Sequence, residues 1–100
     1  MIRRHIVFTG RVQGVGFRWR ALYAAQGLGL SGWVKNETDG SVTLEVQGEA
    51  LAINEFLREL RGGKYVEIQS MDVKGIPVQE EERGFRVYGY EVVLISQASG

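Results

Sequence analysis

The chain has 100 residues, 44% hydrophobic and 24% charged, and at this size a chain buries roughly two-thirds of its unfolded surface and folds without staples. Twelve basic residues balance twelve acidic ones, which argues against nucleic acid or an anionic membrane as the main partner, since both reward a basic excess. There is no cysteine and one histidine, His5, so disulfides and thiolate chemistry are excluded and a zinc site is disfavoured.

The opening MIRRHIVFTGRV has no apolar core of signal-peptide length, and no apolar run approaches about 18 residues. A cytoplasmic protein forming a single domain over residues 1–100 is expected. Ile6, Phe8, Gly10 and Val12 share one face of a period-two run, with His5, Val7, Thr9 and Arg11 on the other, which predicts a first strand. A glycine-rich stretch follows, and then Phe17, Ala21, Leu22, Ala25 and Leu28 recur at helical spacing before Gly27 and Gly29 end the pattern. The run through Trp33 and Val34, the turn Thr38-Asp39-Gly40-Ser41 and the alternation Val42, Leu44, Val46 predict a hairpin. Ile53, Phe56, Leu57 and Leu60 are spaced i, i+3, i+4, i+7 on a second, amphipathic helix that Gly62-Gly63 stops. Tyr65, Val66, Ile68, Met71, Val73 and Ile76 suggest a fourth strand with imperfect alternation, and FRVYGYEVVLI a fifth.

This β-α-β-β-α-β order with right-handed crossovers predicts an α+β, ferredoxin-like sandwich. Two helices are expected on one face of an antiparallel sheet, with an extra C-terminal strand. The fold hosts many functions, so the function has to come from the site. GLGLSG, residues 27–32, matches a dinucleotide fingerprint, but it follows a helix and precedes a strand, the reverse of what that motif needs. RGFRVYGY, residues 83–90, resembles the RNA-binding strand of RRM domains, yet it lacks the small residue at Arg86 and the phenylalanine at Val87. A solvated edge strand is the better reading there. Asn36-Glu37-Thr38 is a glycosylation sequon, empty without a secretory signal.

GRVQGVGFR, residues 10–18, is the stretch with chemistry in it. It holds no carboxylate, so it is unsuited to binding a cation or shuttling protons. Gly14 and Gly16 permit positive φ, which lets the N–H groups of Gln13, Gly14, Val15, Gly16, Phe17 and Arg18 turn inward around an anion at a helix N-terminus. Arg18 adds a planar fork that fits a phosphate or carboxylate. Taken alone, the glycines are equally explained by a tight strand-to-helix turn, and no G-x-x-x-x-G-K-[ST] pattern is present.

GRVQGVGFR followed by GWVKNETDGSVTLEVQG resembles the paired signatures of the acylphosphatases, small ferredoxin-like enzymes that hydrolyse the carboxyl-phosphate bond, and the likeness runs from about Ile6 to Val87. The resemblance implies that Arg18 binds the phosphoryl group, that Gln13, Gly14, Val15, Gly16 and Phe17 form its cradle, and that Asn36 positions the attacking water. It implies an acyl phosphate substrate, inorganic phosphate as product and competitive inhibitor, and neither metal nor other cofactor. A monomer is expected, with a dimer through the C-terminal edge strand as the alternative. No nucleic-acid or membrane partner is implied. Two other functions remain open at this point: a non-catalytic anion-binding or interaction module of the same fold, and a carbamoyl-phosphate-handling domain like the one that begins larger maturation proteins.

Overall fold

A computed structural model describes residues 1–89. The elements in chain order are β1 (Ile2–Arg11), α1 (Phe17–Leu28), β2 (Ser31–Asn36), β3 (Val42–Gly48), α2 (Ala50–Arg61), β4 (Glu67–Ile76) and β5 (Phe85–Tyr88). They form a five-stranded sheet in the order β4-β1-β3-β2-β5.

Alternation does what the sequence predicts. Ile6 and Phe8 of β1, Val34 of β2 and Val42, Leu44 and Val46 of β3 are buried in one core with Ala21 and Ala25 of α1 and Ile53, Phe56 and Leu60 of α2. Phe8 and Phe17 meet edge to face at 5.0 Å between ring centroids, which fixes the start of α1 over the sheet. Of the two glycines expected to end α1, Gly29 does so with φ 69°, its cap closed by Leu30 N–H donating to the Ala25 carbonyl at 2.9 Å. Gly27 lies inside the helix.

The imperfect alternation of β4 has a specific cause. Thr9 pairs with Ser70 but Gly10 pairs with Ile68, so Gln69 is an extra residue, and a bulge reverses which parity faces the core. Ile68 and Met71, three apart in sequence, therefore both pack against the core. Tyr65 and Val66 precede the strand rather than belonging to it.

The sheet differs from the antiparallel expectation at one strand. β4, β1, β3 and β2 are antiparallel neighbours, but β5 runs parallel to β2, from Gly32↔Phe85 to Lys35↔Tyr88, so the whole sheet is mixed. The reason is the path of the chain. β4 finishes beside Arg3, residues 77–84 run along that end of the sheet to the far edge, and β5 then starts beside Gly32. A crossing along one end returns the chain in the direction opposite to β4, which is the direction of β2. β5 is the edge strand expected from RGFRVYGY, with Phe85 and Val87 buried and Arg86 exposed. The remainder of the predicted fifth strand, from Tyr90 on, and the dimer edge it suggested lie outside the described residues.

The crossing segment is fastened to the sheet face opposite the helices. Arg3, buried on β1, donates from Nη1 to Glu82 Oε1 at 2.7 Å and to Gln47 Oε1 at 3.1 Å, and from Nη2 to Glu45 Oε1 at 2.8 Å. Gln47 holds the backbone of Gln79 through both its oxygen and its nitrogen, at 2.7 and 3.0 Å. His5 Nδ1 lies 2.7 Å from Glu45 Oε2. Burial pushes the Glu45 carboxyl up, but its hydrogen bonds with His5 and the Arg3 guanidinium together outweigh that and keep it below its ordinary value.

Candidate active site

Three segments end at the same end of the molecule: β1, which releases the glycine-rich loop into α1; β2, whose last residue is Asn36; and β5, whose last residue is Tyr88. The loop itself is short, residues 12–16. Gly14 and Gly16 have φ 74° and 79°, both in the left-handed region, and Gly16 stands at the N-cap of α1. A glycine cap provides no side-chain acceptor, and the first turn of α1 contains no acidic residue. The first helical bond runs from Arg20 N–H to the Gly16 carbonyl at 3.0 Å, so the N–H groups of Phe17, Arg18 and Trp19 precede the ladder. Uncapped donors at the positive end of a helix, without a carboxylate among them, are the electrostatics an anion requires.

The cradle residues divide by role. Gly14 and Gly16 are exposed, Val15 packs against the core, and Phe17 is buried within it. Phe17 can therefore offer a ligand only its backbone. Gln13 turns its side chain the other way, onto the hairpin loop: Nε2 donates to the carbonyls of Glu37 at 2.7 Å and Ser41 at 2.8 Å. Arg18 is half-buried, and its Nη1 donates to the Tyr88 carbonyl at 2.8 Å. Because Tyr88 pairs with Lys35, that bond holds the guanidinium level with the end of β2, where Asn36 follows.

Asn36 is 6% exposed, and its Oδ1 is a buried acceptor without a hydrogen-bond partner among the described residues. Such an atom costs about 1–3 kcal/mol unless a donor reaches it, which a water or a ligand N–H or O–H can supply. The hairpin loop beside it is well made. Glu37 N–H donates to the Ser41 carbonyl at 2.9 Å, and Asp39 Oδ1 accepts from the Ser41 hydroxyl at 2.6 Å and the Ser41 N–H at 2.9 Å. Those two bonds, the hydroxyl first, hold the Asp39 carboxyl below its ordinary value.

The structure thus brings together the cradle, Arg18 and Asn36, and adds the Gln13 side chain and the Tyr88 carbonyl, which the sequence reading did not contain. One signal was available. All twelve acidic residues come after position 36, while six of the twelve basic ones precede it, so a net charge of zero conceals a positive first third that includes the whole glycine-rich loop. His5, by contrast, belongs to the Arg3 cluster. Among the described residues, no group of three or more histidines, aspartates and glutamates is arranged to hold a metal ion, and no helix is long and apolar enough to cross a membrane.

The acylphosphatase family model matches residues 4–87. The chain is 43% identical over 82 residues to the acylphosphatase of Bifidobacterium longum strain NCC 2705, covering 81% of this chain and 84% of that protein. Among solved structures it is similar to the acylphosphatase from Bacillus subtilis, with a TM-score of 0.80, 31% identity, and coverage of 88% of this chain and 98% of that one. It is also similar to full-length HypF in its phosphate- and nucleotide-bound form, with a TM-score of 0.78 and 32% identity, covering 88% of this chain but 12% of that one.

Proposed function

Since the chain belongs to the acylphosphatase family, whose reaction is the hydrolysis of acyl phosphates, we propose that Arg18 and the N–H groups of Gln13, Gly14, Val15, Gly16 and Phe17 hold the phosphoryl group while Asn36 holds the attacking water. The observation that carries this reading is the buried, unpartnered Asn36 Oδ1 at the level of the Arg18 guanidinium. A water that donates a proton to Oδ1 points a lone pair away from it, towards a phosphorus seated in the cradle.

The reaction asks little more of the protein. Water adds to phosphorus, the bond from phosphorus to the acyl oxygen breaks, and the electron pair leaves on a carboxylate whose conjugate acid has a pKa of about 4, so no general acid is needed. Charge in the loose transition state is spread over the three phosphoryl oxygens, where the loop N–H groups, the helix dipole and the Arg18 fork meet it. Arg18 cannot accept a proton and Asn36 does not titrate near neutrality, so the water's proton goes to a phosphoryl oxygen. The proposal includes a cytoplasmic monomer of one domain, competitive inhibition by inorganic phosphate, and turnover that survives a strong chelator. The second reading is the carbamoyl-phosphate-handling role that the sequence resemblance left open, and comparing kcat/KM for carbamoyl and benzoyl phosphate separates the two.

Arg18→Ala removes a contact present before and during transfer, so it is expected to weaken competitive phosphate binding and lower kcat together, the latter by about 10²-fold. Asn36→Ala is expected to lower kcat by about 10²-fold while the inhibition constant for phosphate stays within about threefold. Inhibition and turnover on each variant, with circular dichroism to verify folding, decide the matter. Wild-type turnover in Asn36→Ala, or undiminished phosphate binding in Arg18→Ala, overturns the assignment.

A further inference from the structure

We infer that the Gln13 side chain is a positioning residue that locks the phosphate cradle to the hairpin end bearing Asn36, so that the two halves of the site move as one. The inference rests on the assignment of Asn36 made above and extends it to a group that touches neither phosphate nor water. Gln13 Nε2 uses both of its protons on carbonyls of the hairpin loop, Glu37 at 2.7 Å and Ser41 at 2.8 Å. Glu37 directly follows Asn36, and Ser41 directly precedes β3. These two residues are already joined across the loop by the 2.9 Å bond from Glu37 N–H to the Ser41 carbonyl. The Gln13 amide thus closes the mouth of the loop from outside and binds both of its ends.

The chemistry restricts what else can do this. The task needs two donors on one atom at glutamine's reach: a glutamate presents only acceptors to the two carbonyls at neutral pH, and methionine fills the volume without donating. The other connections described reach Asn36 less directly. Phe17 ties the cradle to the core under α1, and Arg18 ties it to β5, which pairs with β2, through the Tyr88 carbonyl. Gln13 bonds to the residue that follows Asn36. An in-line attack tolerates little displacement, and a shift of about 1 Å between reacting groups is enough to cost about 10²-fold.

Gln13→Met is therefore expected to lower kcat about tenfold while the inhibition constant for inorganic phosphate changes by less than about threefold, because the cradle N–H groups and Arg18 remain. The double-mutant cycle with Asn36→Ala is the decisive arm. In the Asn36→Ala background, Gln13→Met is expected to change kcat by less than about twofold, since its effect passes through the water that Asn36 holds. Gln13→Lys, which keeps donors on one atom at a similar reach, is expected to recover part of that loss, with a kcat at least about threefold above that of Gln13→Met. Urea unfolding checks that each variant is folded. A folded Gln13→Met with parental kcat overturns the inference, as does an equal loss in both backgrounds or a folded Gln13→Lys as slow as Gln13→Met. If Asn36→Ala itself turns over at the parental rate, the water assignment has failed instead, and the two failures are told apart.

Discussion

At the scale of single residues, Arg18 shows what a sequence carries and what it omits. Its type and place, an arginine one residue into a helix after a glycine-rich loop, already specify a fork of donors aimed at an anion. Its partner in the structure, the Tyr88 carbonyl at 2.8 Å, was not legible, because every residue has a carbonyl and only the three-dimensional path of the chain decides which one arrives. The same holds for Asn36: its residue type was readable, whereas the burial that leaves Oδ1 unpartnered depends on elements that pack around it. The bond to Tyr88 sharpens the expectation for a conservative change. Arg18→Lys keeps the charge but offers one nitrogen, which cannot hold the Tyr88 carbonyl and two phosphoryl oxygens in one plane. Its kcat/KM for benzoyl phosphate is expected to lie within about fivefold of that of Arg18→Ala, both far below the parent. A lysine variant that recovers most of the parental kcat/KM shows that charge alone suffices.

At the scale of elements, the helices, the hairpin and β1 followed from periodicity because each has one face in a single core. β4 did not alternate cleanly, and the bulge opposite Gly10 is the reason. A bulge changes parity without leaving a compositional mark other than the glycine that permits it. Gly10 has φ 117°, and a Cβ there falls 2.2 Å from the Glu67 carbonyl oxygen and 2.7 Å from the Gln69 nitrogen, both backbone atoms. Gly16, with φ 79°, has open space around the corresponding Cβ. Gly10 and Gly16 should therefore respond differently to alanine. Gly10→Ala combines a disfavoured φ with a backbone clash and is expected to lower stability by at least about 2 kcal/mol in urea unfolding. Gly16→Ala meets only the left-handed penalty, about 1–2 kcal/mol, and Gly16→Asn, which tolerates that region, is expected to recover part of it. Equal losses at the two positions show that the bulge is not what Gly10 is needed for.

At the scale of the whole molecule, the crossing segment joins the edge strand β4 to the opposite edge, β5, and delivers the Tyr88 carbonyl to Arg18. What anchors it is the Arg3 cluster at the other end of the sheet, and that cluster was not read from the sequence, since Arg3 and Glu82 are 79 positions apart. The Arg3 side chain is fully buried, with Glu45 and Glu82 at 14% and 17% exposure, so removing the guanidinium leaves two poorly hydrated carboxylates facing Gln47. His5 stays beside Glu45, and the charge left without a partner is chiefly that of Glu82. Breaking such a group by removing one member costs about 3–5 kcal/mol, and Arg3→Met, which keeps most of the volume, is expected to show a loss of that order at pH 7. The sign of the pH dependence follows from linkage. In the parent, the folded-state Glu45 pKa lies below its unfolded value of 4.5, so the stability it contributes is complete above that value and is lost as pH falls through the lower folded one. In Arg3→Met the part of that lowering owed to the guanidinium is gone while the His5 bond remains, so Glu45 contributes less that acid can remove and the variant loses less stability than the parent as pH falls. The two stabilities are therefore expected to converge on going from pH 7 to pH 4, with the gap shrinking by at least about 1 kcal/mol in urea unfolding at each pH. A gap that is the same at both pH values means that Arg3 acts by packing alone, and that the crossing segment is held by something other than its charge.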